Sequence, residues 1–406
     1  MAVRRKGSLL VGQSGGVTAV INSSLAGVVD EAFEHDVIDR VYGSRHGIEG
    51  VLAQELVDFG TFPPSRISGL RSTPAAALGS CRHKLSDSEY ERIIEILRAY
   101  DVRYFIYIGG NDSADTAHRV SQIAQESGYD LHVVGVPKTI DNDLPITDHS
   151  PGYGSAARFV ALATMDAGLD TESMRRSDPV KIIETMGRNA GWLAAASVLG
   201  KRDDSQAPHL IYVPERPLVA DAFLRDVEDV YRRVGYVVAV VAETVRGENG
   251  QPVGLVEDEV YTDSFGHRRI TGTAQTLCNL VTERLGLKAR WDKPGTIQRV
   301  STASVSTVDE EEAYLAGRHA VRSAVAGQND KMVVLFRESG DDYRCIMGLG
   351  DLQDIANSEK VLPDEYINEQ GNFVTAGFIR YARPLLGAPL PEHVRLDGLA
   401  VPRLQQ

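Results

Sequence analysis

Short apolar runs alternate along this chain with longer stretches whose apolar residues recur at helical spacing. That alternation predicts a mostly parallel sheet covered by helices on both faces. Leu9-Leu10-Val11 opens as a strand, turns at Gly12-Gln13-Ser14-Gly15-Gly16 and continues as an amphipathic helix from Thr18 to Glu34. Tyr104-Phe105-Ile106-Tyr107-Ile108 and His132-Val133-Val134-Gly135-Val136 are two further buried strands. The first runs into Gly109-Gly110-Asn111-Asp112-Ser113 and then a helix from Asp112 to Ala124, with Ala114, Ala117, Val120 and Ile123 at helical spacing. The second runs into Pro137-Lys138-Thr139-Ile140-Asp141-Asn142-Asp143. Both loops leave the carboxyl ends of strands, where open α/β sheets place their ligands, and the two glycine loops are expected to aim helix N-termini at one site.

After Pro151-Gly152-Tyr153-Gly154-Ser155 the alternation restarts with a helix from about Ala156 to Leu169. Val180–Glu184, His209–Val213 and Tyr236–Ala242 follow as strands, forming a second α/β unit. The expected fold class is therefore α/β, with two Rossmann-like three-layer α/β/α units and a site in the cleft between them. Asp309-Glu310-Glu311-Glu312 fits a helix start favoured by the dipole, Gly340-Asp341-Asp342 fits a turn, and the tail after Pro384 fits an irregular packed arm. Trp192 and Trp291 are expected to be packing anchors.

Composition narrows the function. A chain of 406 residues exceeds one ordinary core. Its net charge of −13 argues against nonspecific nucleic-acid binding, so any anion site must be a local basic pocket. Cys81, Cys278 and Cys345 are far apart and odd in number, which fits a reducing compartment better than a disulfide frame or zinc site. The apolar stretch behind the basic Met1–Lys6 segment is too short for a signal peptide. Because no segment approaches the roughly 18 apolar residues of a membrane span, a cytoplasmic protein with no membrane partner is expected.

Glycines at a helix N-terminus free backbone N–H groups that bind phosphoryl oxygens. Ser14-Gly15-Gly16 and Gly109-Gly110 each have that form, and together with Asp141 and Asp143 they suggest phosphoryl transfer. That chemistry needs a carboxylate to take an alcohol proton, cations to neutralise charge, and rigid positioning. Asp141 is the base candidate: in an extended Thr139-Ile140-Asp141-Asn142-Asp143 segment, Thr139, Asp141 and Asp143 share a side. Arg82, in Leu78-Gly79-Ser80-Cys81-Arg82, is a candidate cation.

These segments, with Glu184-Thr185-Met186-Gly187-Arg188, Pro214-Glu215 and Ile297-Gln298-Arg299, resemble the phosphofructokinase family in the family's order, over roughly residues 7 to 340. The resemblance implies that Asp141 deprotonates the C1 hydroxyl of fructose 6-phosphate and that Thr139 bridges to the transferred group, with Asp143 supporting the metal. It implies that Arg82 stabilises the phosphoryl group in flight, and that Gly15, Gly16, Gly110 and Ser113 hold the donor. Met186, Gly187, Arg188 and Glu215 would hold the sugar, Arg299 its 6-phosphate with Thr296 beside it, and Arg290 would reach a neighbouring subunit of a homodimer or homotetramer. Family members that use ATP tend to have glycine at the positions of Asp112 and Lys138, whereas those using pyrophosphate have Asp and Lys. A carboxylate at Asp112 repels an α-phosphate, and Lys138 can hold a pyrophosphate leaving group, so pyrophosphate is the expected donor, with Mg²⁺ as cofactor. The resemblance also divides the chain into a donor domain of residues 1–152 plus about 298–340, a sugar-phosphate domain of 153–297 plus part of 341–406, and a C-terminal extension of about 345–406.

Three positions depart from the family pattern. Asn111 stands where the family has a metal-associated Asp, leaving magnesium to Asn111 through its carbonyl oxygen, to Asp112, Asp141 or Asp143 through water, or to pyrophosphate itself. Pro179 occupies the place of an inter-subunit arginine, with Arg175 and Arg176 nearby, and Thr296 that of an aromatic or imidazole. An ATP-dependent enzyme and a catalytically weakened regulatory subunit are the alternatives. A nicotinamide-binding reading fails because no G-x-G-x-x-G follows the first strand.

Overall fold

The computed structural model describes residues 6–254, 272–340, 342–396 and 401. Among the described residues eleven strands fall into two sheets. They are β1 (Gly7–Gln13), β2 (Ile38–Ser44), β3 (Leu56–Asp58), β4 (Val102–Gly109), β5 (His132–Pro137), β6 (Val180–Thr185), β7 (Leu210–Tyr212), β8 (Val237–Ala242), β9 (Ala289–Asp292), β10 (Lys331–Arg337) and β11 (Cys345–Asp351). The larger sheet has the order β11-β10-β5-β4-β1-β2-β3 and the smaller β7-β8-β6-β9. The inner strands β5, β4, β1 and β2 pair in parallel, as do all four strands of the smaller sheet. The central strands β4, β5, β6 and β8 are largely apolar runs because they are covered on both faces.

On one face of the larger sheet the helices Ile21–Phe33 and Thr307–Val325 bury Leu25, Val28, Ala320 and Val321. On the other, Asp87–Ala99 and Asn111–Glu126 bury Ile93, Leu97, Ala117 and Val120. The smaller sheet is packed by Tyr153–Ser173, Ala220–Val234 and Thr273–Leu285. The two expected α/β/α units are thus present.

Some expectations shift. The hairpin β10–β11 pairs antiparallel from Lys331↔Asp351 to Arg337↔Cys345, so residues 345–351 belong to the larger sheet rather than to an extension, beyond the limit of about 340 set from sequence. The connection between these strands is short enough for a hairpin, and pairing there covers an otherwise open edge of β10. The first helix starts only at Ile21, so Val17 to Val20 separate it from the first glycine loop. Trp192 is a packing anchor against Tyr153, Tyr366, Phe378 and Tyr381, whereas Trp291, on the edge strand β9, is 45% exposed. Of the expected 340–342 turn, Asp341 lies outside the described residues. Among the described residues no helix is long and apolar enough to cross a membrane.

Candidate active site

The carboxyl ends of β1, β4 and β5 from one sheet and of β6 and β8 from the other open onto a single cleft of about 470 Å³. This size suits a small polar ligand pair. Gly15, Gly16, Arg82, Gly110, Asn111, Asp112, Ser113, Lys138, Thr139, Asp141, Asp143, Met186, Arg188 and Arg299 all line it.

At the donor end, β4 delivers Gly109 and Gly110, and the helix Asn111–Glu126 begins without any side-chain cap. Its first N–H groups are left for an anion. A Cβ on Gly109 would lie 2.1 Å from Ser113 Oγ, so only glycine lets this helix turn start so close to its strand. The other glycine loop has Gly15 at φ 75°. Its N–H donates to the Cys81 carbonyl at 3.2 Å and its carbonyl accepts from Ser80 Oγ at 2.7 Å, which fixes the loop carrying Arg82 against it.

Lys138 follows β5 and is 2% exposed, with Nζ donating to the Gly16 carbonyl at 2.5 Å. Burial, reinforced by the Arg299 charge and opposed by Asp141 and Asp143, pulls its ammonium down to about 7. Burial and the like charge of Asp143 push the Asp141 carboxyl up to about 7, against the opposing pull of Arg188 and Lys138. The Asp143 carboxyl is also raised, chiefly by burial. The Asp141 N–H donates to Thr139 Oγ1 at 3.1 Å, holding the loop in shape.

Asn111 Nδ2 donates to Asp143 Oδ2 at a long 3.5 Å. Asn111 Oδ1, Asp141 Oδ1 and Asp143 Oδ1 are buried acceptors with no partner. Three such oxygens lining one cavity fit an oxygen-seeking divalent cation, with Asn111 and Asp143 as its holders. A second cluster does not line this cleft. His149 Nδ1 and Nε2 lie 2.8 Å from Asp148 and 2.6 Å from Glu312, with Cys345 nearby. Against the opposing effect of burial, those carboxylates raise the imidazole to about 9, so the cluster is held together by its own ion pairs.

The acceptor end is built on β6 and β8. Gly187 at φ 139° and Arg188 at φ 47° turn the chain sharply after β6, the Met186 N–H donates to Gln298 Oε1 at 3.2 Å, and the Arg188 carbonyl accepts from Thr244 Oγ1. A non-glycine residue in the left-handed region is the kind of stored strain found at ligand sites. Glu243, immediately after β8, also lines the cleft, its carboxyl raised by burial. Sequence reasoning passed over it, although a carboxylate at the end of the Tyr236–Ala242 apolar run was a usable signal.

Four expected residues do not line the cleft. Gly187 shapes the turn without lining it. Glu215 Oε1 accepts from the Gly191 and Leu362 N–H groups, each at 2.8 Å, and so fastens a loop, while its Oε2 is buried without a partner; Glu243 is a further carboxylate in the cleft lining. Thr296 is exposed in the turn Gly295–Arg299. Arg290 lies on β9, exposed and paired with Asp178 at 3.1 Å. Arg299 reaches the donor end: a Cβ on Gly16 would be 3.3 Å from its Nη1. Two lining residues, Asn357 and Glu359, come from the segment after β11 and carried no motif.

The sequence pattern of the family described as PFK: Phosphofructokinase matches residues 8–324. The chain is 44% identical to a pyrophosphate–fructose 6-phosphate 1-phosphotransferase of Halomonas elongata, over 92% of this chain and 90% of the relative. It is 43% identical to the protein of the same name from Xanthomonas campestris pv. campestris, over 97% and 94%. The crystal structure of a pyrophosphate-dependent phosphofructokinase from Nitrosospira multiformis superposes with a TM-score of 0.87 at 39% identity, covering 100% of this chain and 99% of that one.

Proposed function

The chain belongs to the phosphofructokinase family, and we propose that it transfers a phosphoryl group reversibly between inorganic pyrophosphate and the C1 hydroxyl of fructose 6-phosphate. The products are phosphate and fructose 1,6-bisphosphate. Asp141 takes the hydroxyl proton as the C1 oxygen attacks, and a base whose carboxyl lies near neutrality suits that task. Arg82, Lys138 and the N-terminus of the helix Asn111–Glu126 meet charge on the transferred group and the leaving phosphate. Arg188, Glu243 and the Met186 turn orient the sugar phosphate. Magnesium, held by Asn111 and Asp143, supplies charge neutralisation on the pyrophosphate oxygens when bound.

The observation that carries the donor assignment is the buried Lys138 ammonium beside the Gly16 carbonyl, with Asp112 lining the same end of the cleft. Asp112 opposes the additional phosphate of a nucleotide, and Lys138 needs an anion to offset its burial. Because a pyrophosphate and a phosphate ester release similar free energy on transfer, the reaction runs in either direction. The exposed Arg290 supports a homo-oligomer in which it crosses to a neighbour, and three unpaired thiols support a cytoplasmic site of action. Coupled assays of the purified chain at equal pyrophosphate and ATP concentrations test the reading: turnover is expected with pyrophosphate, and strong ATP turnover without it would sink the proposal.

A further inference from the structure

Residues 357–362, shortly after the short helix Leu352–Ile355, bring Asn357 and Glu359 into the cleft lining and are tied down at both ends. Asn357 Nδ2 donates to Asp115 Oδ1 at 2.8 Å, fastening the segment to the helix that starts at Asn111. The Lys360 N–H donates to the Asp143 carbonyl at 2.7 Å, and Lys360 Nζ donates to the Thr147 and Asp148 carbonyls at 3.0 and 2.8 Å. Trp192 Nε1 donates to the Lys360 carbonyl at 3.2 Å, and Leu362 N–H reaches Glu215. Between these anchors Glu359 alone turns a carboxylate into the cavity that Asn111, Asp141 and Asp143 line. Among the described residues its hydrogen-bond partner is Asn189 Nδ2, at 3.1 and 3.4 Å.

Position 111 supplies a neutral amide where magnesium-pyrophosphate chemistry favours a carboxylate. Asn111 Oδ1 and Asp143 Oδ1 are buried, unpartnered and part of the same wall, and Asp143 is only 9% exposed. The backbone of residue 360 is bonded to residue 143, so the carboxylate one residue earlier is held beside that wall by the fold. We propose that Glu359, delivered by this strap, supplies the carboxylate that Asn111 lacks, contacting the metal of the metal–pyrophosphate complex directly or through a coordinated water. Lys360 is then a positioning residue, since its four hydrogen bonds set where the Glu359 side chain emerges. The proposal rests on the pyrophosphate reading above and deepens it.

The test needs no turnover. Free Mn²⁺ is followed by electron paramagnetic resonance while the full chain is titrated in the presence of methylenediphosphonate, a pyrophosphate analogue that cannot be cleaved. Wild type is expected to hold Mn²⁺ with the analogue, Glu359→Gln to hold it about tenfold more weakly, and Glu359→Gln combined with Asn111→Asp to recover most of the loss. Because Glu359 is exposed and Gln is isosteric, the fold should persist, and unfolding midpoints of the variants check this. An unchanged Mn²⁺ affinity in Glu359→Gln overturns the proposal, as does a loss that Asn111→Asp leaves unrepaired. Failure of the wild type to bind the manganese–diphosphonate complex at all would instead overturn the donor reading.

Discussion

Replacing Lys138 by Met should make the protein more stable and nearly inactive at once. The ammonium is sealed in the cleft with one hydrogen bond, to the Gly16 carbonyl, and its pKa falls from 10.5 to about 7. Between those values the unfolded chain holds a proton that the folded chain gives up, so the unfolding free energy rises with pH across the window 7 to 10.5. At pH 7 the burial of this group costs the fold about 4 kcal/mol, and at pH 9 about 2 kcal/mol. Met fills the stem's volume and carries no charge, so the variant should gain an amount of that order at pH 7 and less as pH rises. Urea unfolding followed by circular dichroism at pH 7 and 9 gives the comparison. Pyrophosphate should reverse the ranking, since it stabilises only the chain that binds it, and pyrophosphate turnover should fall roughly 10²–10³-fold. A Lys138→Met chain that is less stable at pH 7, or whose advantage is equal at both pH values, would refute the desolvated-cation account.

Asp141→Asn should lower kcat roughly 10²–10⁴-fold while fructose 6-phosphate still binds. In the parent, kcat/KM should fall as pH drops through about 7, where Asp141 takes up its proton; a variant within tenfold of wild type would remove Asp141 from the base role. Glu243→Gln should cost roughly ten- to a hundredfold in kcat/KM for fructose 6-phosphate, the size of a lost charged hydrogen bond. The KM for pyrophosphate should not move, and an effect confined to the donor would misplace Glu243. His149 gains a proton on folding, its pKa rising from 6.5 to about 9, so it adds about 3 kcal/mol below pH 6.5 that fades as pH climbs through 9. His149→Gln should therefore destabilise more at pH 6 than at pH 9 in urea melts, and a pH-independent loss would contradict the ion-paired imidazolium.

The donor half of the site was legible because its parts are local. A glycine pair at a strand end dictates where the next helix begins, and Lys138, Thr139, Asp141 and Asp143 share one short loop, so spacing alone put them together. The acceptor half depends on which strands become neighbours, and spacing says nothing about that. Pro214-Glu215 matched a motif, yet one oxygen of its carboxylate is tied to two backbone N–H groups outside the cleft lining, while Glu243 reaches the cleft because β8 lies beside β6 in the sheet. Asn357 and Glu359 were invisible for a further reason: their segment has no regular structure and is aimed by hydrogen bonds to residues 147 to 242 positions away. Trp291 failed as an expected anchor because β9 is an edge strand, and edges are a property of the assembled sheet.

The order of strands in the larger sheet also sets a timetable for synthesis. β10 lies against β5, but about two hundred residues separate them, and the whole smaller sheet is encoded in between. As the chain leaves the ribosome, β5 must wait with one hydrogen-bonding edge unpaired, and without the helix Thr307–Val325 on one of its faces, until residues 307–351 arrive. The sheet begun second therefore closes first. A nascent chain paused between β9 and β10 would carry a complete smaller sheet whose core still lacks Tyr366, Phe378 and Tyr381, beside an unpaired β5 edge, and aggregation is expected to be high at that length.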